Sequence, residues 1–294
     1  MDKVRGQLVK VQGGTMHIRR MGQGEKTIVL LSGWGVPLPT ADFAPLMRDL
    51  SQKHTVCTIE FFGYGRSDST DRPHTNENYV QEIREALNAA GLKPPYVLMP
   101  YSCSGIYCEY YAAMYPDEIE ALVLLDTSPT VERFAESCVL PEKELEKLAA
   151  QTYSKFTIAL GRVLAKLILR IRGKKQTYIQ AGYTKDEIIA MATTPNHMAT
   201  LVAQMRALPD NVRETAALEI KSELPIMLLR CGEVKEDTRH QKSLKEHLEK
   251  LGEHTKHVVV AGSTHSDIYW RRDFRNTICR ETDAFLNALH HTSK

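Results

Sequence analysis

The sequence predicts an α/β fold: a mostly parallel sheet covered by helices, with an inserted helical cap. Short runs of β-branched and apolar residues alternate with helical patterns, the signature of βαβ units. Several runs are apolar at nearly every position, as strands buried on both faces must be. The alternation stops after Pro129 and resumes at Pro225, and the roughly ninety residues between read as helices with little strand signal.

Gln7 to Val11 and Met16 to Arg20 flank Gly13-Gly14, which predicts a β-hairpin with a glycine turn. Thr27 to Leu31 is a short buried strand running into Ser32-Gly33-Trp34-Gly35. Phe43 to Leu50 is helical, with Asp42 near its start. Thr55 to Phe62 is a strand ending at Gly63-Tyr64-Gly65, and Asn76 to Ala90 is a helix closed by Gly91. Tyr96 to Met99 is a strand, Gly105 to Tyr115 a helix, and Ile119 to Leu125 a strand running into Asp126. After the insert come a strand at Pro225 to Arg230, a helix at Lys242 to Leu251, a strand at His257 to Val260 and a last helix to about Leu289. This places a sheet domain over 1–128 and 223–294 and a helical cap over 129–222.

Length and composition agree. A chain of 294 residues with 43% hydrophobic and 25% charged residues suits one large domain, or one domain with a subdomain inserted. The net charge of +2 argues neither for nor against nucleic acid; no nucleic-acid partner is expected, since such binders usually show a concentrated basic face. Cys57, Cys103, Cys108, Cys138, Cys231 and Cys279 form no C-x-x-C pair and no zinc spacing. They read as free thiols in a reducing cytoplasm. The start, MDKVRGQLVKVQGG, has no apolar core of a signal peptide, although an anchor removed ahead of it would leave no trace.

The chemistry gathers at Tyr96 to Ala112, where a strand runs into a helix almost without a loop. A hydroxyl at such a corner projects from the carboxyl edge of the sheet beside a helix N-terminus, which favours developing negative charge. The tight turn needs small residues two before and two after the nucleophile. Ser102 has Pro100 and Ser104 there, whereas Cys103 has Tyr101 and Ser104 has Ile106. Ser102 is therefore the candidate nucleophile; its alternative role is to cap the following helix. His265 follows the last strand and a glycine turn, where a base can reach a hydroxyl at the same sheet edge.

Four segments, in order, resemble the α/β-hydrolase fold superfamily. Ser32-Gly33-Trp34-Gly35 resembles its His-Gly oxyanion turn, and Phe62 to Asp68 its G-x-G-x-S-[DE] segment. Leu98 to Asp117 resembles its nucleophile elbow, with Pro100 in place of the usual glycine, and Ala261 to His265 its histidine loop. The resemblance implies a serine hydrolase with backbone oxyanion donors at Trp34 and Cys103. Ser32 stands where the family usually has histidine, with a hydroxyl able to brace the loop. An acid is also implied, with its position open. The family's G-x-x-D place reads Gly232-Glu233-Val234-Lys235-Glu236-Asp237, so Glu236 or Asp237 serves if the loop is longer, with Glu233 a further choice. Asp126, after the preceding strand, is the other candidate.

Within the insert, Arg162, Lys166 and Arg170 form a basic stripe beside apolar Val163, Leu164, Leu167, Ile168 and Ile171. The stripe suits peripheral contact with anionic lipid or a solvated cap face; the apolar side suits an acyl pocket. The expected reaction is hydrolysis of a small ester-like molecule with a hydrophobic part, through an acyl-enzyme and without metal or cofactor. Rival readings are a proline iminopeptidase-like enzyme, an amide or thioester hydrolase, and a ligand-binding protein on the same scaffold.

Overall fold

The structure, a computed structural model, describes residues 6–152, 159–160, 163, 178–232 and 239–292. The basic stripe of the insert lies outside them. Eight strands form one sheet: β1 (Gln7–Val11), β2 (Gly14–Met21), β3 (Thr27–Leu31), β4 (Thr55–Glu60), β5 (Tyr96–Pro100), β6 (Ile119–Leu125), β7 (Ile226–Cys231) and β8 (Lys256–Val260). Their order is β1-β2-β4-β3-β5-β6-β7-β8. β2 pairs antiparallel with β1 and β4, and all other pairings are parallel.

The two faces follow from the period of two along each strand. Val29, Leu31, Cys57, Ile59, Leu98, Leu122, Leu124 and Leu228 share one core cluster with α3 (Asn76–Ala89) and α4 (Ser104–Met114). Ile28, Leu30, Val56, Val97, Met99, Val123, Leu125, Met227 and Leu229 share the other with α2 (Ala44–Leu50) and the last helix, α10 (Arg272–Thr292). With helices on both faces, the central strands are buried throughout, which explains their unbroken apolar runs.

The helix expected from Phe43 to Leu50 is α2, and a further short helix, α1 (Pro39–Asp42), precedes it, with Phe43 between them. Pro39 supplies the start, since its missing N–H costs nothing in a first turn. Asp42 is buried and accepts a hydrogen bond from Tyr178 at 2.9 Å. The strand expected to reach Phe62 ends at Glu60, whose buried carboxylate accepts from His17 Nδ1 and the Arg66 N–H.

Between β6 and β7 the chain leaves the sheet for α5 (Glu132–Cys138), α6 (Glu142–Thr152), α7 (Lys185–Ala192) and the long α8 (Pro195–Ala216). α8 packs on α4, α5 and α6. A further helix, α9 (Arg239–Leu251), joins β7 to β8. No described helix is long and apolar enough to cross a membrane.

Candidate active site

The carboxyl ends of β5, β6 and β8 bring three of the singled-out side chains together. Ser102 follows β5, Asp126 follows β6 and His265 follows β8. Ser102 Oγ lies 3.1 Å from His265 Nε2, and His265 Nδ1 lies 2.5 Å from Asp126 Oδ2. Glu233, Glu236 and Asp237 lie outside the described residues.

Ser102 sits at φ +58°, the left-handed region that non-glycine residues avoid at a cost on the order of 1–2 kcal/mol. Its surroundings hold it there. Tyr101 N–H donates to the Leu31 carbonyl at 2.8 Å, Ser102 N–H to that of Leu125 at 3.3 Å, and Ser128 N–H to that of Ser102 at 3.1 Å. The buried Ser104 hydroxyl accepts from Tyr101 N–H at 3.1 Å and faces the Leu31 carbonyl at 2.8 Å. Close approach requires two glycines. A Cβ on Gly33 would come within 2.6 Å of Ser102 Cβ, and one on Gly105 within 2.5 Å of Thr127 Cβ. Ser102 does not cap α4; the capping position is Cys103, without a side-chain cap.

Asp126 is buried and also has a positive φ, +46°. Its Oδ1 accepts from Arg230 Nε at 3.1 Å and from Cys231 N–H at 3.0 Å. Burial pushes the carboxyl up, but the His265 hydrogen bond, the Cys231 N–H and the neighbouring charges outweigh it and hold it at about 2. An ionised carboxylate only accepts. His265 Nδ1 therefore carries the proton, and Nε2 is left to accept from the Ser102 hydroxyl.

His265 is held by more than Asp126. Tyr101 Oη donates to its carbonyl at 2.6 Å, and the two rings stack with centroids 4.8 Å apart. The loop below is pinned by Gly232 N–H on the Ser263 carbonyl at 3.1 Å and Thr264 N–H on Asp267 Oδ1 at 2.7 Å. Arg230 and Tyr101 were not singled out from the sequence. A charged residue ending an otherwise apolar strand was the available signal for Arg230; nothing local marked Tyr101.

Among the described residues, neither the Trp34 nor the Cys103 backbone N–H donates to a backbone carbonyl. The Cys103 thiol packs 3.4 Å from Ser128 Oγ, and burial raises its pKa, which keeps it protonated and a poor rival to Ser102. Ser32 does not brace the loop as expected. Its buried hydroxyl has no hydrogen-bond partner among the described residues. Among the described residues, no group of three or more His, Cys, Asp or Glu side chains could hold a metal ion.

Comparison with known proteins follows the same lines. Residues 26–181 match the family model for the alpha/beta hydrolase fold. The chain is 35% identical over 124 residues to the uncharacterized protein YbdG of Bacillus subtilis (strain 168), covering 42% of this chain and 38% of that one. It is 28% identical over 154 residues to a pimeloyl-[acyl-carrier protein] methyl ester esterase of Chromobacterium violaceum, covering 51% and 56%. The chain thus spans little more than half the length of these curated relatives, or less. Among solved structures it is similar to the enol-lactonase from Burkholderia xenovorans LB400, with a TM-score of 0.65 at 16% identity over 96% of this chain and 100% of that one. Similarity at that identity is one of fold.

Proposed function

The chain belongs to the α/β hydrolase fold family, and from that premise we propose that it is a serine hydrolase cleaving a carboxylic ester with a hydrophobic acyl or alcohol part. One observation carries the reading: the continuous line from Asp126 through His265 to Ser102, at 2.5 and 3.1 Å. The esterase among its relatives supports the ester class.

The steps follow from the geometry. Ser102 Oγ attacks the ester carbonyl as its proton passes to His265 Nε2. Asp126 keeps the ring in the accepting tautomer and stabilises the imidazolium that forms. The Trp34 and Cys103 N–H groups take the tetrahedral oxyanion, assisted by the N-terminus of α4. His265 then protonates the departing alcohol, leaving an acyl-enzyme. Water attacks it with His265 as base, and the collapse returns Ser102 and releases the acid. In this reading 1–128 and 223–294 form the catalytic core and 129–222 a cap over the strand ends.

Hydrolysis of p-nitrophenyl esters of several acyl lengths tests the proposal, with Ser102→Ala and His265→Ala beside the parent. Both variants should lose at least about 10³-fold in kcat. Activity unchanged in Ser102→Ala would end the nucleophile assignment. Saturable binding with no turnover of any ester by the parent would favour a binding protein instead.

A further inference from the structure

A chain of polar groups, buried beyond the half-buried Trp34, runs from the oxyanion turn to the helix α8, over one hundred residues away in sequence. The Trp34 indole Nε1–H donates to Tyr107 Oη at 3.1 Å. The Tyr107 ring lies flat on that of Tyr79, with centroids 4.0 Å apart and planes 23° apart. Tyr79 Oη accepts from Gln204 Nε2 at 2.7 Å, and Gln204 Oε1 accepts from Tyr64 Oη at 2.6 Å. The side chains of Tyr64, Tyr79, Tyr107 and Gln204 are each no more than 2% exposed. Tyr64 is also gripped by His197, another α8 residue, whose ring meets it edge-on at 4.7 Å.

The chemistry of the glutamine makes this arrangement directional. Its carbonyl takes the Tyr64 proton while its amide gives one to Tyr79, so the two tyrosines present opposite demands that one primary amide meets. Tyr79 Oη is also hydrogen-bonded with His74 Nδ1 at 2.9 Å. Burial lowers the His74 pKa, which favours the neutral imidazole there. In so dry a setting each bond is stiff, and an orphaned member is costly. Stiffness matters most at Trp34, because an oxyanion donor works only if it already points where the charge will form.

We propose that Tyr107 and Gln204 are positioning residues for the Trp34 oxyanion donor: Tyr107 fixes the indole, and with it the turn that carries the Trp34 N–H, while Gln204 fixes the tyrosines behind it from α8. The proposal rests on the serine hydrolase reading above. It makes α8 part of the catalytic geometry as well as a cover over it.

The test is a cycle of Tyr107→Phe, Trp34→Phe and their combination, with Gln204→Met alongside. Each is assayed for kcat per titrated active site, KM, and affinity for a trifluoromethyl ketone, which forms an oxyanion adduct on a nucleophilic serine. Tyr107→Phe should lower kcat per site and inhibitor affinity together, by roughly tenfold, with KM within about twofold. Trp34→Phe should do the same. The double variant should be no worse than either single, since both remove one hydrogen bond. Gln204→Met should move the same two quantities by roughly fivefold. Unchanged kcat per site and inhibitor affinity in Tyr107→Phe would overturn the proposal. So would multiplying effects in the cycle, or a loss confined to the fraction of titratable sites. Tyr107→Phe removes a single oxygen, so it tests the idea even if Gln204→Met does not fold. Full activity in Ser102→Ala, run in parallel, would instead bring down the serine reading itself and this inference with it.

Discussion

Replacing Asp126 by asparagine should abolish most activity while leaving the fold intact, and the reason lies in which way the amide must face. Oδ1 of Asp126 receives two donors, Arg230 Nε at 3.1 Å and Cys231 N–H at 3.0 Å. Neither can accept, so the carbonyl oxygen of an asparagine has to stay on that side. Its NH2 group then faces His265 Nδ1, which must become an acceptor. The ring proton moves to Nε2, the atom that has to take the Ser102 proton, and the hydroxyl loses its base. A tautomer locked in this way lowers kcat by about 10⁴, or about 5.5 kcal/mol of transition-state stabilisation. The assay is steady-state ester hydrolysis, with a circular dichroism melt to verify folding. Glu236→Gln and Asp237→Asn serve as controls and should leave kcat unchanged. A folded Asp126→Asn variant keeping more than about a tenth of parental kcat would refute the argument. Collapse of activity in Asp237→Asn or Glu236→Gln would move the acid to that loop.

Further outcomes follow from the same geometry. Asp126 is held at about 2 against an ordinary 3.8, so its charged form is favoured by folding; the stability this adds is present above pH ~4 and lost as pH falls through the folded value. The gap corresponds to about 2 kcal/mol, with about 1 kcal/mol of it lost between pH 5 and pH 3, and denaturant unfolding of the parent and Asp126→Asn should show that pH-dependent difference. A parallel pH dependence in both would argue against it. Tyr101→Phe removes the 2.6 Å bond to the His265 carbonyl but keeps the stacked ring, so kcat should fall several-fold, with a loss of about 1 kcal/mol in stability; unchanged kcat would show that the stack alone positions the imidazole. Gly33→Ala would drive a methyl to within 2.6 Å of Ser102 Cβ, so it should cost about 1–3 kcal/mol in stability and at least tenfold in kcat, measured by melting and ester turnover; normal activity would mean the turn can move aside.

The sheet was legible because burial on both faces leaves an unmistakable trace. Runs such as Val97-Leu98-Met99 and Val123-Leu124-Leu125 have no other place to be than the middle of a covered sheet. Element ends were less legible. Phe62 looks like strand, yet the chain turns after Glu60, with Tyr64 N–H closing on the Phe61 carbonyl and the Glu60 carboxylate accepting from the Arg66 N–H and His17. Ser102 and His265 could be named because each sits at a strand end with local turn chemistry. The choice between Asp126 and the 233–237 loop could not be made, because it depends on how β6, β7 and β8 splay around His265. The same holds for Tyr101, Arg230 and Gln204. Each acts on a partner more than a hundred residues away or across a strand end, and no local pattern encodes that.

Two neighbouring strand ends carry the unfavourable backbone of this site, and their pairing explains why it persists. Ser102 at φ +58° and Asp126 at φ +46° would each be easier as glycine, but glycine has no hydroxyl or carboxylate to offer. The sheet supplies the restraint. Asp126 N–H donates to the Leu229 carbonyl at 2.7 Å, Ser102 N–H to that of Leu125, and Ser128 N–H closes back on Ser102. Each strained residue is thus anchored to the strand end beside it, from β5 through β6 to β7. A change that loosens this ladder would release strain and raise stability only by letting Ser102 and Asp126 turn away from His265. Stabilising substitutions at these two corners should therefore cost activity, whereas stabilising substitutions on the outer faces of α3 or α10 should not.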